Sequence, residues 1–200
     1  MQPLLMQLRE LLADAAFPWG LCGGYALELF AGKAIRPHGD VDLSLPESAR
    51  TVAIAWMLAR GWQMYEYRGM GKVKPLRCPQ DSEPGRNLMA VRGEDAPVRF
   101  FPCEEEGLLY HQFMPGMTAL NFLDLLFSKE LRRPFIERDG LPVLSPEEAL
   151  LYKAARHDEE SACLDFAAVY PLLDDSQRAW LRSALMAQYP NGHPWQIEQE

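Results

Sequence analysis

The sequence predicts an α+β fold, in which an N-terminal mixed sheet flanked by helices precedes a helical C-terminal region. Val41, Leu43 and Leu45 alternate with polar residues, as in a strand with one apolar and one polar face. Beyond Gly140 the apolar residues recur at helical spacing instead. Helices are predicted there over 146–156, 159–173 and 176–188.

The N-terminal elements follow from the spacing of apolar residues and from the residues that end each run. The predicted elements are a helix over 4–16, a strand over 19–22, a helix over 25–31, a helix from 46 to about 60, and strands over 62–67, 87–91, 98–101 and 120–127. Pro18, Gly32 and Gly61 end three of these runs. The stretch 68–116 is rich in Pro, Gly and Met, and outside its two short strands it predicts no clear element.

The boundary between the two parts is predicted near residue 144. Ser145, Pro146 and Glu148 form the pattern of a capping box with proline at the first helical position. We therefore expect one domain over 1–144 and a helical domain over 145–200.

Composition and charge exclude several classes of protein. The 200 residues are 48% apolar and 24% charged, which is typical of a globular protein. A formal net charge of −8 disfavours nucleic acid as a partner and suits a cationic small molecule better. No apolar run reaches the length of a membrane span, and the N-terminus has no basic start of a signal peptide, so we expect a cytoplasmic protein without a membrane partner. The four cysteines lie far apart, which argues against a zinc site or a disulfide framework.

Two motifs in the first 45 residues suggest chemistry. Gly23 and Gly24 precede a predicted helix, where backbone N–H groups can bind phosphate, although such glycines also form ordinary tight turns. Asp40 and Asp42 would share one face of a strand. A divalent cation such as Mg²⁺ would compensate their repulsion, and the alternative is a solvated acidic face.

The residues Gly23-Gly24-Tyr25-Ala26, followed by Arg36-Pro37-His38-Gly39-Asp40-Val41-Asp42-Leu43, resemble the signature of the polymerase-β-type nucleotidyltransferase superfamily. More narrowly, they are similar to the aminoglycoside 2''-adenylyltransferases. The resemblance continues through Leu123-Asp124-Leu125-Leu126, 140–147, 151–154 and 178–181. It does not extend to the middle of the chain, around residues 68–116.

The resemblance implies a third acid, which would act as a general base or complete the metal site. Asp124 is the candidate, because it interrupts a strand that is apolar on both faces. The structural alternatives are that Asp124 starts a helix or pairs with Arg132 or Arg133, and Asn121 is the competing alignment.

The resemblance also implies that Gly23 and Gly24 bind the triphosphate and that Asp40, Asp42 and Asp124 hold the metal. Three further residues are candidate nucleotide contacts: Arg36, His38 and Lys153. A surface position for Arg36 and a hydrogen-bonded loop position for His38 are equal alternatives, and for Lys153 a solvated position on its helix is slightly favoured over the nucleotide contact. Arg36 and His38 alternate with the aspartates, and Lys153 lies on a predicted helix.

The predicted function is Mg²⁺-dependent transfer of a nucleoside monophosphate, with ATP or another nucleoside triphosphate as co-substrate. The acceptor would be a hydroxyl of a small, cationic molecule such as an aminoglycoside, with antibiotic resistance as the biological role. The alternatives are a toxin-like enzyme with a protein or tRNA acceptor, and a non-catalytic nucleotide-binding homologue. The sequence identifies neither the acceptor nor the oligomeric state.

Overall fold

The computed structural model describes residues 3–114, 120–129 and 132–196. The helices are α1 (Pro3–Leu11), α2 (Gly23–Ala31), α3 (Arg50–Ala59), α4 (Pro146–Ala154), α5 (Glu160–Val169) and α6 (Asp175–Gln188). The strands are β1 (Gly20–Leu21), β2 (Asp42–Pro46), β3 (Gln63–Gly69), β4 (Lys72–Leu76), β5 (Leu88–Val91), β6 (Val98–Pro102), β7 (Leu109–Phe113), β8 (Phe122–Ser128), β9 (Ile136–Arg138) and β10 (Leu141–Val143). No helix of the described chain is long and apolar enough to cross a membrane.

The chain divides into two compact units, each made of two segments. The first combines residues 1–21 with 38–131, and the second combines 22–37 with 132–200. The first unit contains a sheet in the order β6-β7-β4-β3-β5-β8-β2-β1. Strands β2 and β8 run parallel, whereas β8 is antiparallel to β5 on its other side.

The sheet of the first unit is strongly curled. Strands β4, β3 and β5 separate β7 from β8, so a flat sheet would hold β7 and β8 about 19 Å apart at roughly 4.8 Å per strand. The rings of Phe113 on β7 and Phe122 on β8 are nevertheless only 5.2 Å apart. The concave face is filled by an apolar cluster of Tyr65, Val73, Met89, Val91, Ala96, Val98 and Phe122, with Tyr67, Phe100 and Leu109 packed against it.

The second unit is mainly helical. Helix α4 packs against α2, α5 and α6, and β9 and β10 form an antiparallel hairpin. Helix α2 ends at Gly32, which adopts the left-handed conformation (φ +67°) that glycine tolerates best. Helix α6 begins with a capping box between Asp174 and Gln177.

The predicted α+β class is confirmed, and so is the burial of the 120–127 strand on both faces around residues 122–125. The capping box predicted at the start of α4 is wrong. The side chain of Ser145 makes no capping hydrogen bond, and the carboxylate of Glu148 instead accepts hydrogen bonds from the backbone N–H groups of Arg132 and Arg133 at 3.3 and 3.1 Å. The domain boundary at residue 144 stays a prediction.

Two strands within 68–116, β4 and β7, were not predicted. Strand β4 contains Pro75, which ordinarily argues against an interior strand. Here β7 pairs only with Lys72 and Val73 of β4, so one side of Pro75 faces no partner strand in the described register. A proline without an N–H is tolerated at such an edge position.

Candidate active site

The register between β2 and β8 brings two aspartates side by side. Asp42 and Asp124 are directly paired in the parallel ladder, so their side chains emerge on the same face of the sheet. The N–H of Asp124 donates a hydrogen bond to the carbonyl oxygen of Val41 at 3.0 Å. This bond fixes the backbone between Asp40 and Asp42 against β8.

Asp40 completes an acidic cluster in the first unit. One carboxylate oxygen from each of Asp40, Asp42 and Asp124 lies within 4.8 Å of one from each of the other two. Asp40 is exposed, Asp42 is half-buried, and Asp124 is 8% exposed. The cluster therefore runs from solvent at Asp40 to the protein interior at Asp124.

The buried end of the cluster is held by a tyrosine. The hydroxyl of Tyr67 on β3 donates a hydrogen bond to Oδ1 of Asp124 at 2.5 Å. Burial, together with the charges of Asp42 and Asp40, raises the pKa of Asp124 to about 8, and the Tyr67 hydrogen bond opposes this only in part. Burial and the Asp124 carboxylate also raise the pKa of Tyr67, so its hydroxyl stays protonated and acts as a donor.

The donor set of the cluster fits a divalent metal ion. Three carboxylates held this close repel one another, and either a proton on Asp124 or a cation must compensate their charge. All the available ligand atoms are oxygens, which Mg²⁺ prefers over nitrogen and sulfur. The residues present therefore fit the magnesium ion that the sequence predicts.

A row of aromatic rings borders the cluster. The ring of Tyr67 meets the ring of His111 edge to face, with the ring centroids 5.5 Å apart. The rings of His111 and Phe113 have centroids 5.2 Å apart, and Phe113 in turn contacts Phe122. Burial lowers the pKa of His111, so this ring is neutral at pH 7. The side chain of Phe113 is 46% exposed, and the rings of His111 and Tyr67 connect it to Asp124.

The two predicted phosphate-binding glycines lie in the second unit. Helix α2 begins at Gly23, two residues earlier than predicted, and Gly23 has a φ of +66°. The first N–H groups of a helix have no partner within the helix, so Gly23 and Gly24 occupy positions suited to bind an anion.

The strand face that Arg36, His38 and Asp40 were predicted to share with Asp42 is wrong, because β2 begins only at Asp42 and the three earlier residues lie outside it. Arg36 instead forms two hydrogen bonds to Asp165 at 3.1 and 2.9 Å, and Lys153 binds the same carboxylate at 2.8 Å. Lys153 is buried, not solvated, and Asp165 is fully buried. Nucleotide contacts of Arg36, His38 and Lys153 stay predictions.

The structure also bears on the alternatives for the third acid. Asp124 lies beside the acidic pair, and Arg133 pairs with Glu147 at 3.0 Å. Asn121 lies before β8 begins, where its carbonyl oxygen accepts a hydrogen bond from the N–H of Arg92 at 2.8 Å.

Sequence reasoning missed Tyr67 and Asp165. Tyr67 reaches Asp124 across the intervening strand β5, and this contact has no local sequence signal. Asp165 had a weak signal, since it is a carboxylate on a helix between the apolar residues Ala162 and Val169.

Comparison with known proteins bears on this geometry. Residues 4–73 match the family model described as Aminoglycoside-2''-adenylyltransferase. Over these residues the chain is related to the nucleotidyltransferases. The resemblance predicted from the sequence is thereby confirmed, and the prediction of a nucleotidyltransferase enzyme rests on the same match. The matched segment contains Gly23, Gly24, Asp40, Asp42 and Tyr67, and ends before Asp124.

Solved structures of nucleotidyltransferases are similar to most of the chain at low sequence identity. A solution structure of the antibiotic-resistance factor ANT(2'')-Ia is 15% identical with a TM-score of 0.51, and the match covers 94% of this chain and 92% of that one. ANT(2'')-Ia in complex with adenylyl-2''-tobramycin gives 16% identity and a TM-score of 0.45, with coverage of 93% and 97%. The lincosamide antibiotic adenylyltransferase LnuA, lincomycin-bound, is 14% identical with a TM-score of 0.47, and the match covers 86% of this chain and 98% of that one. The first of these supports the fold. No curated protein sequence matches the chain significantly.

Proposed function

We propose that this protein is a metal-dependent nucleotidyltransferase that moves a nucleoside monophosphate, AMP from ATP in the simplest case, to a hydroxyl of a small molecule. The observation that supports this most directly is the convergence of Asp40, Asp42 and Asp124, whose carboxylate oxygens lie within 4.8 Å of one another. The match of residues 4–73 to an adenylyltransferase family is the second support.

The roles of the three carboxylates follow from their surroundings. Asp40, Asp42 and Asp124 would hold Mg²⁺, which when bound supplies positive charge for the triphosphate and the departing pyrophosphate. Asp124 is also the candidate to remove the proton from the acceptor hydroxyl, because it is the most buried of the three carboxylates and is held in place by the Tyr67 hydroxyl. The acceptor oxygen then forms its bond to the α-phosphorus as the bond to pyrophosphate breaks, and Asp124 retains the proton.

The acceptor would lie against the half-exposed ring of Phe113. This ring and the ring of His111, whose pKa burial lowers, offer an apolar surface next to Tyr67, which contacts Asp124. The surface fits an acceptor that carries a hydroxyl next to an apolar or cationic group. Aminoglycosides and lincosamides both have such groups, and an antibiotic-resistance role would follow from modifying either.

The experiment is an assay of pyrophosphate release with each nucleoside triphosphate, Mg²⁺, and a panel of aminoglycosides and lincosamides. We expect turnover with at least one acceptor, and adenylylated product in mass spectrometry. Asp40→Asn and Asp42→Asn should abolish turnover without loss of fold. Asp95→Asn, an exposed aspartate in the same unit, is the matched control and should behave as wild type.

Three results would contradict parts of this proposal. Full activity of Asp40→Asn or Asp42→Asn with Mg²⁺ would refute the metal assignment. Nucleotide binding without pyrophosphate release across the whole panel would favour a non-catalytic homologue. Recovery of labelled nucleotide on protein or tRNA would replace the small-molecule acceptor by a macromolecular one.

A further inference from the structure

The contact between Tyr67 and Asp124 spans two strand spacings. Strand β5 lies between β3 and β8, and Tyr67 lies two residues beyond Tyr65, which is level with Asp124, so the backbones of Tyr67 and Asp124 are about 12 Å apart. A tyrosine is long enough to place its hydroxyl at Oδ1 of Asp124, at 2.5 Å. The contact therefore requires this residue type at this register.

The ring of Tyr67 is itself held in place. It packs against the apolar cluster of the concave face and meets the edge of the His111 ring. Its N–H donates a hydrogen bond to the carbonyl oxygen of Asn87 at 3.1 Å. Pairing with β4 becomes irregular directly after it, between Tyr67 and Gly69, as in a bulge that redirects side chains.

A carboxylate held through one oxygen cannot rotate freely, so the direction of its other oxygen is also set. We propose that Tyr67 is a positioning residue: by binding Oδ1 of Asp124 it directs Oδ2 toward the metal ion and the acceptor hydroxyl. This inference rests on the proposed function for the acceptor, but the orientation of Asp124 toward a metal is testable without turnover. Partners that orient metal-binding carboxylates typically contribute 10- to 100-fold to affinity or activity.

The test compares two variants that each remove one hydroxyl from the same strand. Tyr67→Phe keeps the ring and deletes the hydrogen bond to Asp124. Tyr65→Phe is the matched control, because Tyr65 also lies on β3 but donates its hydrogen bond to Oε1 of Gln63 at 2.9 Å. Binding of Mn²⁺ is measured by electron paramagnetic resonance in the presence of a non-hydrolysable ATP analogue, alongside kcat and KM for the acceptor.

We expect Tyr67→Phe to weaken Mn²⁺ binding about 10-fold and to lower kcat about 10- to 100-fold with less than about 3-fold change in KM. Tyr65→Phe should match wild type in every measurement. Wild-type Mn²⁺ affinity and kcat in Tyr67→Phe would overturn the inference. If wild type fails to release pyrophosphate, the proposed function fails, and the Mn²⁺ measurement still decides the role of Tyr67.

A double-mutant cycle separates positioning from a general loss of packing. If Tyr67 acts through Asp124, adding Tyr67→Phe to Asp124→Asn should not weaken Mn²⁺ binding further. A structural defect would weaken binding equally in both backgrounds, and that result would also overturn the inference.

Discussion

Replacing Asp124 by asparagine should stabilise the metal-free protein at neutral pH. The folded protein raises the pKa of Asp124 from its ordinary value of 3.8 to about 8, chiefly by burial. In the folded state the carboxyl therefore holds its proton between these two values, whereas in the unfolded chain it has lost it. Stability must then fall as pH rises through this window.

The size of the effect follows from that interval. Between 3.8 and pH 7 there are about 3 pH units, each worth about 1.4 kcal/mol. The asparagine variant, which has no proton to lose, should be about 4 kcal/mol more stable than wild type at pH 7. The difference should be close to zero near pH 4, grow by about 1.4 kcal/mol per unit, and level off above pH 8.

The assay is urea unfolding followed by tryptophan fluorescence, in EDTA, at half-unit steps from pH 4 to pH 9. Asp95→Asn makes the same chemical change at an exposed position and should stay within about 0.5 kcal/mol of wild type. A stability difference between Asp124→Asn and wild type that does not change with pH would refute the argument, because it would mean that Asp124 is ionised throughout.

Three further predictions concern packing and binding. Arg50→Met should lower the free energy of unfolding by about 3–5 kcal/mol. Arg50 is buried and donates hydrogen bonds to the carboxylate of Glu47, to the hydroxyl of Ser82 at 2.9 Å and to the carbonyl oxygen of Arg86 at 2.6 Å. The Arg50 hydrogen bond lowers the pKa of Glu47, so this stabilisation is present above pH 4.5 and should shrink as pH falls further. The control is urea unfolding of Arg77→Met, which changes an exposed arginine, and an equal loss of unfolding free energy there would contradict the argument. Asp165→Asn should also lower the free energy of unfolding by about 3–5 kcal/mol, because Arg36 and Lys153 would lose the buried carboxylate that both contact. Thermal unfolding tests this against Asp158→Asn, which changes an exposed aspartate of the same unit, and similar melting temperatures of the two variants would contradict it. Phe113→Ala should raise the KM for the acceptor several-fold and leave that for ATP unchanged in steady-state kinetics, and an unchanged acceptor KM would remove Phe113 from the acceptor surface.

Local patterns in the sequence predicted the elements that carry the acidic cluster. The alternation of Val41, Leu43 and Leu45 predicted β2, and the apolar run around Asp124 predicted β8, because both strands are buried and so constrain every residue. The convergence of Asp42 with Asp124 depends on strand pairing, and the sequence supported it only through the resemblance to a known family.

The contacts that sequence reasoning missed are those made across the fold. In the sequence Tyr67 looks like any other strand residue, because its contact with Asp124 depends on the order of the strands and the curl of the sheet. Arg36 contacts Asp165 from a distant position in the chain and Lys153 from the preceding helix, and no sequence periodicity indicates either contact. Strand β4 was missed because a strand tolerates Pro75 only where the neighbouring strand ends before it, and the length of that pairing depends on tertiary structure.

The direct pairing of Asp42 with Asp124 makes the acidic cluster sensitive to the length of β8 more than to its composition. Inserting or deleting one residue between the start of β8 and Asp124 would turn Asp124 to the opposite face and bring a leucine in its place. The loops between β2 and β8 are under no such restriction, since a change in their length leaves the ladder in register. Related chains can therefore diverge widely in loop length there, while indels within these two strands would eliminate the chemistry in a single step.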